Sequence, residues 1–172
     1  MVLAADANVV LVGMRGAGKT TLGRALAHAS PRAFVDLDDE LARHAGLDVD
    51  RLLAERGEAE FRRLEAEVIR QAASLRSSVI ATGGGAVLHA DLIVQLAATG
   101  MVVFVDTPLP TLIARCASRP RPPLTALAPA DETRALLEHR RANYEAIADI
   151  TVPGDTVEPI LDAVRTWSAS ER

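Results

Sequence analysis

Short apolar segments alternate along the chain with longer stretches in which apolar residues recur every three or four positions. The first segment, Asn8 to Val12, is rich in valine and too short for a helix, so we predict a buried strand. Similar segments follow at Ala33 to Leu37, Ser78 to Thr82, Met101 to Asp106 and Asp149 to Val152. Strands that alternate with helices form parallel sheets covered on both faces, so the sequence predicts an α/β fold with five strands.

The stretches between these segments predict helices. One helix is expected from about Gly18 to Ala29, directly after the first strand. We interpret the long segment Leu41 to Leu75 as two or three helices interrupted near Gly46 and Gly57. Together with the residues just before it, this segment is predicted to form a substrate-binding lobe at residues 38–75.

Later in the chain, the segment from Arg119 to Pro129 holds four prolines. Proline interrupts helices, so this segment predicts a mobile loop, which we call the lid and place at residues 119–130. The whole chain has 172 residues, the size of one domain, and we predict a single domain over residues 1–172.

Composition narrows the class of protein. An apolar share of 49% and a charged share of 24% are typical of globular domains and argue against a disordered chain. A net charge of −4 gives no long-range attraction for nucleic acid or an anionic membrane, so we expect neither as a partner. The single Cys116 excludes an internal disulfide framework, and we find no charged-then-apolar leader pattern and no apolar run near the 18 residues that a membrane span needs. We therefore expect a cytoplasmic protein.

A phosphate-binding pattern follows the first strand. Residues Gly13 to Thr20, GMRGAGKT, fit G-x-x-x-x-G-K-[ST] and lie between a predicted strand and a predicted helix. Glycines let successive backbone N–H groups point at phosphates, and the helix N-terminus adds partial positive charge. Lys19, the only lysine beside eighteen arginines, can reach the β and γ phosphates, and the Thr20 hydroxyl can bind Mg²⁺.

Other glycine-loop functions fit less well. A dinucleotide-binding loop needs a third glycine at a position where this chain has none, and we exclude it. The chain has no Asn-Lys-x-Asp sequence to read a guanine base, which disfavours a GTPase switch. The loop alone leaves a kinase and an ATPase both open.

Two carboxylates and a run of glycines mark a second site. Strand periodicity sends Asp36 and Asp38 to the same side, where one can hold Mg²⁺ through water and the other can orient or deprotonate an acceptor hydroxyl. Helix capping is the alternative role; it fits Asp39 well, stays open for Asp38 and fits Asp36 poorly, because we expect the next helix to begin near Glu40. The run Gly83 to Gly85 lets a ligand approach the backbone at the carboxyl ends of the strands.

Several segments together resemble the shikimate kinase family, which has the phosphate-loop fold of the nucleoside monophosphate kinases. The resemblance spans nearly the whole chain in order. It rests on GMRGAGKTT at Gly13 to Thr21, FVDLD at Phe34 to Asp38, GEAEFRRLE at Gly57 to Glu65, ATGGGAV at Ala81 to Val87, RPPL at Arg121 to Leu124 and HRRANY at His139 to Tyr144.

This resemblance implies a function and an architecture. The reaction is ATP-dependent phosphorylation of the 3-hydroxyl of shikimate, which yields shikimate 3-phosphate and ADP in aromatic amino-acid biosynthesis. The implied architecture is a three-layer fold with a parallel sheet in the order 2-3-1-4-5 and a mobile lid.

The resemblance also assigns roles to residues of this chain. Thr20 and Asp36 are implied to hold Mg²⁺, Asp36 through water, and Asp38 to bind the acceptor and serve as base. Lys19 and Arg121 are the other catalytic residues. The nucleotide is implied to contact Gly16, Ala17, Gly18, Lys19, Thr20, Thr21, Arg115 against adenine, and Arg121; shikimate is implied to contact Asp38, Arg62, Gly83, Gly84, Gly85 and Arg140.

Two of these assignments depend on register. Arg119 and Arg121 both lie in the lid, and Arg121 is preferred because it directly precedes Pro-Pro-Leu-Thr, although the extra proline departs from the family's usual Arg-Pro-Leu. Arg140 is preferred to Arg141 because it lies four residues before Tyr144. The planar guanidinium binds a carboxylate through two hydrogen bonds, which independently suits a hydroxy acid as substrate.

Two alternative functions remain open at this point. Another small-molecule kinase of the same fold, such as a gluconate kinase, would not need this set of acceptor residues. A ligand-sensing module that binds nucleotide or a small acid would normally need an additional domain. We also expect a monomer, because the chain shows no obvious apolar repeat.

Overall fold

The apolar segments form one parallel sheet in the computed structural model of the protein, which describes residue 4 and residues 6–167. Its strands lie in the order β2-β3-β1-β4-β5, so the predicted order is confirmed. Their bounds are Asn8–Val12 for β1, Ala33–Asp36 for β2, Ser78–Ala81 for β3, Gly100–Val105 for β4 and Ile150–Val152 for β5.

The centre of the sheet forms the core. Every residue of β1, β3 and β4 is buried, as expected for strands covered on both faces, whereas β2 and β5 are edge strands and are partly exposed. Asn8 is a polar residue with no exposed surface, and its amide group bonds the carbonyl oxygen of Leu75, the hydroxyl of Thr99 and the backbone N–H of Ser78. These bonds tie the start of the central strand to the chain around it.

Seven α-helices lie in the described part of the chain. They are α1 at Lys19–His28, α2 at Leu37–Ala45, α3 at Val49–Ala72, α4 at Ala90–Ala97, α5 at Leu109–Ser118, α6 at Pro129–Ile147 and α7 at Glu158–Thr166. A short 3-10 turn at Ala86–Leu88 follows the run of three glycines. No helix among residues 6–167 combines the length and the apolar character needed to cross a membrane.

The predicted lobe consists of α2 and α3. Helix α2 ends at Gly46, and α3 bends at Gly57, whose φ of 79° and ψ of 171° lie outside the helical region. Both glycines therefore interrupt the helices where the sequence predicts it. Helix α2 begins at Leu37, however, and the expectation that it begins near Glu40 is wrong.

The predicted lid lies between α5 and α6. Residues 119–128 contain no regular secondary structure, whereas Pro129 and Ala130 already belong to α6. Proline is tolerated in the first turn of a helix because the N–H it lacks has no helical partner there. The irregular segment is therefore two residues shorter than the predicted one.

Candidate active site

The loop between β1 and α1 has the shape of an anion cradle. Its glycines adopt positive φ angles, +143° for Gly13, +80° for Gly16 and +101° for Gly18, a region that favours glycine. A Cβ at Gly13 would lie 2.6 Å from the carbonyl oxygen of Val105, and one at Gly18 would lie 2.6 Å from that of Gly154. Both backbone conformation and space therefore require glycine at these two positions.

Neighbouring elements support this loop from outside. Ala17 is fully buried, and its carbonyl oxygen accepts a hydrogen bond of 2.8 Å from the Thr107 hydroxyl. Arg115, which is exposed on α5, donates from Nη1 to the carbonyl oxygen of Gly16 at 3.1 Å. Thr21 is exposed one position after Thr20. The loop is thus preformed, while the expected contact of Arg115 with adenine stays a prediction.

Lys19 is buried at the first position of α1, with 8% of its surface exposed. Its Nζ donates to the carbonyl oxygens of Gly13 and Met14 at 2.7 and 2.8 Å. Burial lowers the pKa of the ammonium to about 8, an effect that the nearby carboxylates of Asp38 and Asp36 oppose. The lysine is therefore a largely desolvated cation in the phosphate loop.

Asp36 connects the phosphate loop to the acceptor side. Its Oδ2 accepts a hydrogen bond of 2.7 Å from the Thr20 hydroxyl, and its Oδ1 accepts one of 3.0 Å from the backbone N–H of Asp38. The second bond makes Asp36 the N-cap of α2. The expectation that capping suits Asp39 better than Asp36 is therefore wrong, because α2 begins three residues earlier than expected.

Asp38 lies in the first turn of α2, and its carboxylate reaches the cleft from a helix, not from the strand that sequence periodicity suggests. Burial raises the pKa of this carboxyl, against the opposing effects of Arg121 and Lys19. Both terminal nitrogens of Arg121 lie 3.5 Å from Asp38 Oδ2, and its Nε lies 2.9 Å from Asp50 Oδ1 on α3. The guanidinium of Arg121 therefore joins the irregular segment to the lobe.

Arg119 and Arg121 differ in position. Arg119 is exposed, and its backbone carbonyl oxygen accepts a hydrogen bond of 3.4 Å from Arg15 Nη2. Of the two arginines, it is Arg121 whose side chain contacts carboxylates of the cleft, those of Asp38 and Asp50. The geometry favours the choice of Arg121, and its role at a phosphate stays a prediction.

The run of three glycines lies at the meeting point of these groups. A Cβ at Gly83 would lie 2.9 Å from Glu65 Oε1 and 3.0 Å from Asp38 Oδ1, and one at Gly84 would lie 2.9 Å from the backbone nitrogen of Arg15. A Cβ at Gly85 would collide with Nη1 of Arg62. None of the three glycines has a positive φ, so they are needed here for close approach, not for backbone freedom.

Helix α6 adds a second arginine to this place. Arg140 is 5% exposed and donates from Nη1 to the carbonyl oxygen of Gly84 at 3.1 Å; the Tyr144 hydroxyl donates to the same oxygen at 2.6 Å. Arg141 points elsewhere and forms two bonds of 2.8 and 2.9 Å with the Asp106 carboxylate. The structure thus brings Arg140 to the cleft and leaves Arg141 outside it.

Arg62, on α3, completes the group. Its Nη1 donates to Glu65 Oε2 at 2.7 Å, and its Nη2 to Glu58 Oε1 at 3.3 Å. Glu65 is 6% exposed, and it also contacts Nε2 of His89 at 2.9 Å. A carboxylate in such a position is costly to bury unless it is paired, and here two side chains pair with it.

Glu65, His89 and Asp50 were not predicted as site residues. For Glu65 the sequence does carry a signal, since it interrupts an apolar stripe formed by Phe61, Leu64 and Val68 at helical spacing. A charged residue at such a position must have a partner inside the protein. No comparable pattern marks His89 or Asp50, because their contacts depend on how α3, α4 and the irregular segment pack together.

Thr20 and Asp36 are the residues available for a metal ion. Their hydroxyl and carboxylate are hard oxygen donors that lie next to each other at the end of the phosphate loop. Within the described residues no group of three or more His, Cys, Asp or Glu side chains can hold a metal ion. This arrangement fits Mg²⁺, which usually binds few protein ligands and takes the rest from phosphates and water.

Comparison with known proteins identifies the family of this chain. The family model for shikimate kinase matches residues 15–167. A shikimate kinase from Nitratidesulfovibrio vulgaris is 41% identical over 151 residues, which are 86% of this chain and 86% of that protein. The structure of shikimate kinase from Acinetobacter baumannii in complex with shikimate superimposes with a TM-score of 0.85 at 34% identity and covers 92% of both chains.

A gluconokinase from Sinorhizobium meliloti is more distant. It is 18% identical, has a TM-score of 0.54 and covers 94% of this chain and 91% of that one, so it shares the fold alone. The shikimate kinase family model, by contrast, extends from residue 15 within the phosphate loop over the lobe and α6. From this match and the identity to its relatives, the chain belongs to the shikimate kinase family.

Proposed function

We propose that this protein transfers the γ-phosphoryl group of ATP to the 3-hydroxyl of shikimate. The observation that carries the proposal is the set of contacts around the three glycines. Gly83 lies against Asp38, Gly84 against the phosphate loop and Arg140, and Gly85 against Arg62. A nucleotide cradle, one acceptor carboxylate and two arginines therefore meet within a few ångströms of one backbone segment.

In this proposal the two arginines bind the substrate carboxylate. Guanidinium groups recognise carboxylates through paired, charge-assisted hydrogen bonds. Nε of Arg140 is buried and has no hydrogen-bond partner within the described residues, so it is a donor that a ligand can satisfy. Arg62 is 20% exposed and held in place from one side by Glu65. Arg140 and Arg62 thus present guanidinium groups from two different helices.

Asp38 acts on the acceptor hydroxyl. In the transfer, the hydroxyl oxygen forms a bond to the γ-phosphorus, and the bond to the bridging oxygen breaks with its electron pair remaining on ADP. The hydroxyl proton passes to the Asp38 carboxylate. Burial raises the pKa of this carboxyl, which makes its carboxylate a stronger base. Lys19 and the N–H groups of the phosphate loop stabilise the negative charge on the phosphates.

Thr20 and Asp36 are proposed to hold Mg²⁺, Thr20 directly and Asp36 through water. When bound, Mg²⁺ neutralises charge on the β and γ phosphates. The bond between the two residues keeps the Thr20 hydroxyl close to the Asp36 carboxylate.

Arg121 is proposed to exchange its contacts with Asp38 and Asp50 for the transferring phosphoryl group when the lid closes. Monomeric state and cytoplasmic location stay predictions from the sequence.

An assay of substrate choice tests this function. ADP formation is coupled to NADH oxidation, with ATP and either shikimate, gluconate or quinate as acceptor. We expect turnover with shikimate to exceed that with the other two acids by orders of magnitude. Comparable turnover with gluconate would favour the related small-molecule kinases, and nucleotide binding without any turnover would favour a sensing module.

A further inference from the structure

His89 occupies a position that normally carries a capping residue. It is the N-cap of α4, where Ser, Thr, Asp or Asn are preferred because their side chains bond a free N–H of the first helical turn. The His89 side chain makes no such bond. Its imidazole turns instead toward α3, and Nε2 lies 2.9 Å from Glu65 Oε2. Helix capping is thus given up for a contact with a buried carboxylate.

The chemistry of this contact fixes the position of one proton. At 2.9 Å from a carboxylate oxygen, which only accepts, Nε2 of His89 must carry the hydrogen. The same oxygen accepts the bond of 2.7 Å from Arg62 Nη1. The side chains are well shielded, with 17% of His89 and 7% of Glu65 exposed. Two donors from two helices therefore converge on one carboxylate oxygen.

Glu65 has little freedom to move while both donors are in place. Its other oxygen, Oε1, lies so close to Gly83 that a Cβ there would be 2.9 Å away. Loss of the His89 bond leaves a buried carboxylate whose only remaining hydrogen-bond donor within residues 6–167 is Arg62. Such a carboxylate gains most by turning toward that arginine, which draws the guanidinium away from its place beside Gly85.

We infer that His89 is a positioning residue for the acceptor site, which acts through Glu65 to hold Arg62 in the orientation that binds the substrate carboxylate. The inference rests on the proposed function, because it takes Arg62 as a ligand of shikimate. It assigns to the start of α4 a part in substrate recognition, although no atom of that helix belongs to the proposed set of substrate contacts.

The decisive variant is His89→Ser. Serine restores the preferred N-cap and removes the contact with Glu65, so it separates the two roles of the position. We expect the KM for shikimate to rise about tenfold, the effect of losing one hydrogen bond to a charged group. The KM for ATP and kcat should stay within about twofold of wild type, and the restored N-cap should offset enough of the lost bond for the variant to remain folded at the assay temperature.

His89→Gln is the conservative variant, since the glutamine amide can place an N–H near the position of Nε2. It should restore most of the affinity for shikimate. His44→Ala is the matched control: His44, on α2, contacts Glu67 at 3.4 Å, and Glu67 lies on α3 as Glu65 does, but both side chains of that pair are at least 37% exposed. This control should leave every kinetic constant unchanged.

The outcomes distinguish the inference from the function on which it rests. Wild-type protein that does not phosphorylate shikimate overturns the proposed function and the inference together. Active wild type, combined with an unchanged KM for shikimate in the stable serine variant, overturns the inference alone. A KM for shikimate that rises in the serine variant and returns toward normal in the glutamine variant supports the inference. It is also supported if the serine variant and the wild type have equal KM values for the carboxamide of shikimate, which lacks the charged carboxylate.

Discussion

The ammonium of Lys19 lies 2.7 Å from the carbonyl oxygen of Gly13, the first residue of the loop that the lysine closes. Its second acceptor, the carbonyl of Met14, is also an uncharged backbone group. A phosphate oxygen carries negative charge and forms a stronger, charge-assisted bond with the same ammonium. The lysine is therefore expected to exchange neutral partners for a charged one when a nucleotide binds.

Lys19→Arg should lower kcat by about a hundredfold or more, the effect of losing one donor to the transition state. The charge is kept, but the planar guanidinium is too broad for the space between two carbonyls of the loop. Thermal unfolding should show a folded protein. Steady-state kinetics check the result, and a variant with nearly normal kcat would contradict the role of this residue.

Nucleotide binding should take up protons near pH 8. Because burial lowers the pKa of Lys19 to about 8, an anionic phosphate raises it again and recruits a proton. Calorimetry of ADP binding at pH 8 in buffers with different ionisation enthalpies counts these protons. Lys19→Arg, whose guanidinium does not titrate there, is the control, and equal uptake in that variant would rule out Lys19 as the source.

The lowered pKa of Lys19 also makes the free energy of unfolding depend on pH. In the unfolded chain Lys19 titrates near its ordinary value of 10.5, so the unfolded state binds more protons than the folded state between pH 8 and 10.5. The contribution of Lys19 to the free energy of unfolding therefore rises with pH across this window. Chemical denaturation of the wild type and of Lys19→Met at both ends of the window measures the difference.

Asp38→Asn should lower kcat by about 10² to 10⁴, the contribution typical of a general base. Asparagine keeps the shape of the side chain but cannot take the proton from the hydroxyl of the acceptor. ATP affinity should change little. In the wild type, activity should fall with acid through the raised pKa of Asp38, a step that the variant should lack. Nearly normal transfer by the variant would leave Asp38 without a chemical role.

Arg62→Lys and Arg140→Lys should each raise the KM for shikimate by about tenfold or more, because lysine keeps the charge and loses the paired geometry. Arg141→Lys is the matched control, since Arg141 binds Asp106 outside the cleft. The KM for ATP should not move in any of the three. An equal loss with an analogue that lacks the carboxylate would indicate a structural role for the two arginines.

Arg121→Ala should lower kcat by about 10³, the lower range for an arginine that stabilises a transferring phosphoryl group, and should weaken shikimate binding much less. Arg119→Ala, two positions earlier and exposed, is the control and should do less. Hydrogen exchange over residues 119–128 should slow when ADP and shikimate bind together. Unchanged exchange would mean that this segment does not close.

The sequence predicts the sheet and the phosphate loop well because both depend on local patterns. Apolar runs such as that of β1 and the spacing from Gly13 to Thr20 need no knowledge of distant residues. The start of α2 is different: one hydrogen bond, donated by the N–H of Asp38 to the Asp36 carboxylate, marks it, and strand periodicity cannot show where a strand gives way to a helix. That single boundary also decides which aspartate caps the helix.

At the site, the contacts that the sequence could not predict are those between segments far apart in the chain. The position of Arg140 beside Gly84 follows from the packing of α6, and its four-residue spacing from Tyr144 pointed to it because both side chains bond the same carbonyl. The contact of His89 with Glu65 joins the start of α4 to α3, and neither residue shows it alone. The reason for the three glycines is likewise visible only when their neighbours are known.

Arg62 and Arg140 stand on α3 and α6, two helices that both contact the short turn after the glycines. A small acid held by both guanidinium groups becomes a removable tether between segments that lie far apart in the chain. Its effect should therefore reach beyond catalysis: bound shikimate has to be released before α3 and α6 can move apart, so the substrate should slow global unfolding and prolong survival in the presence of a protease.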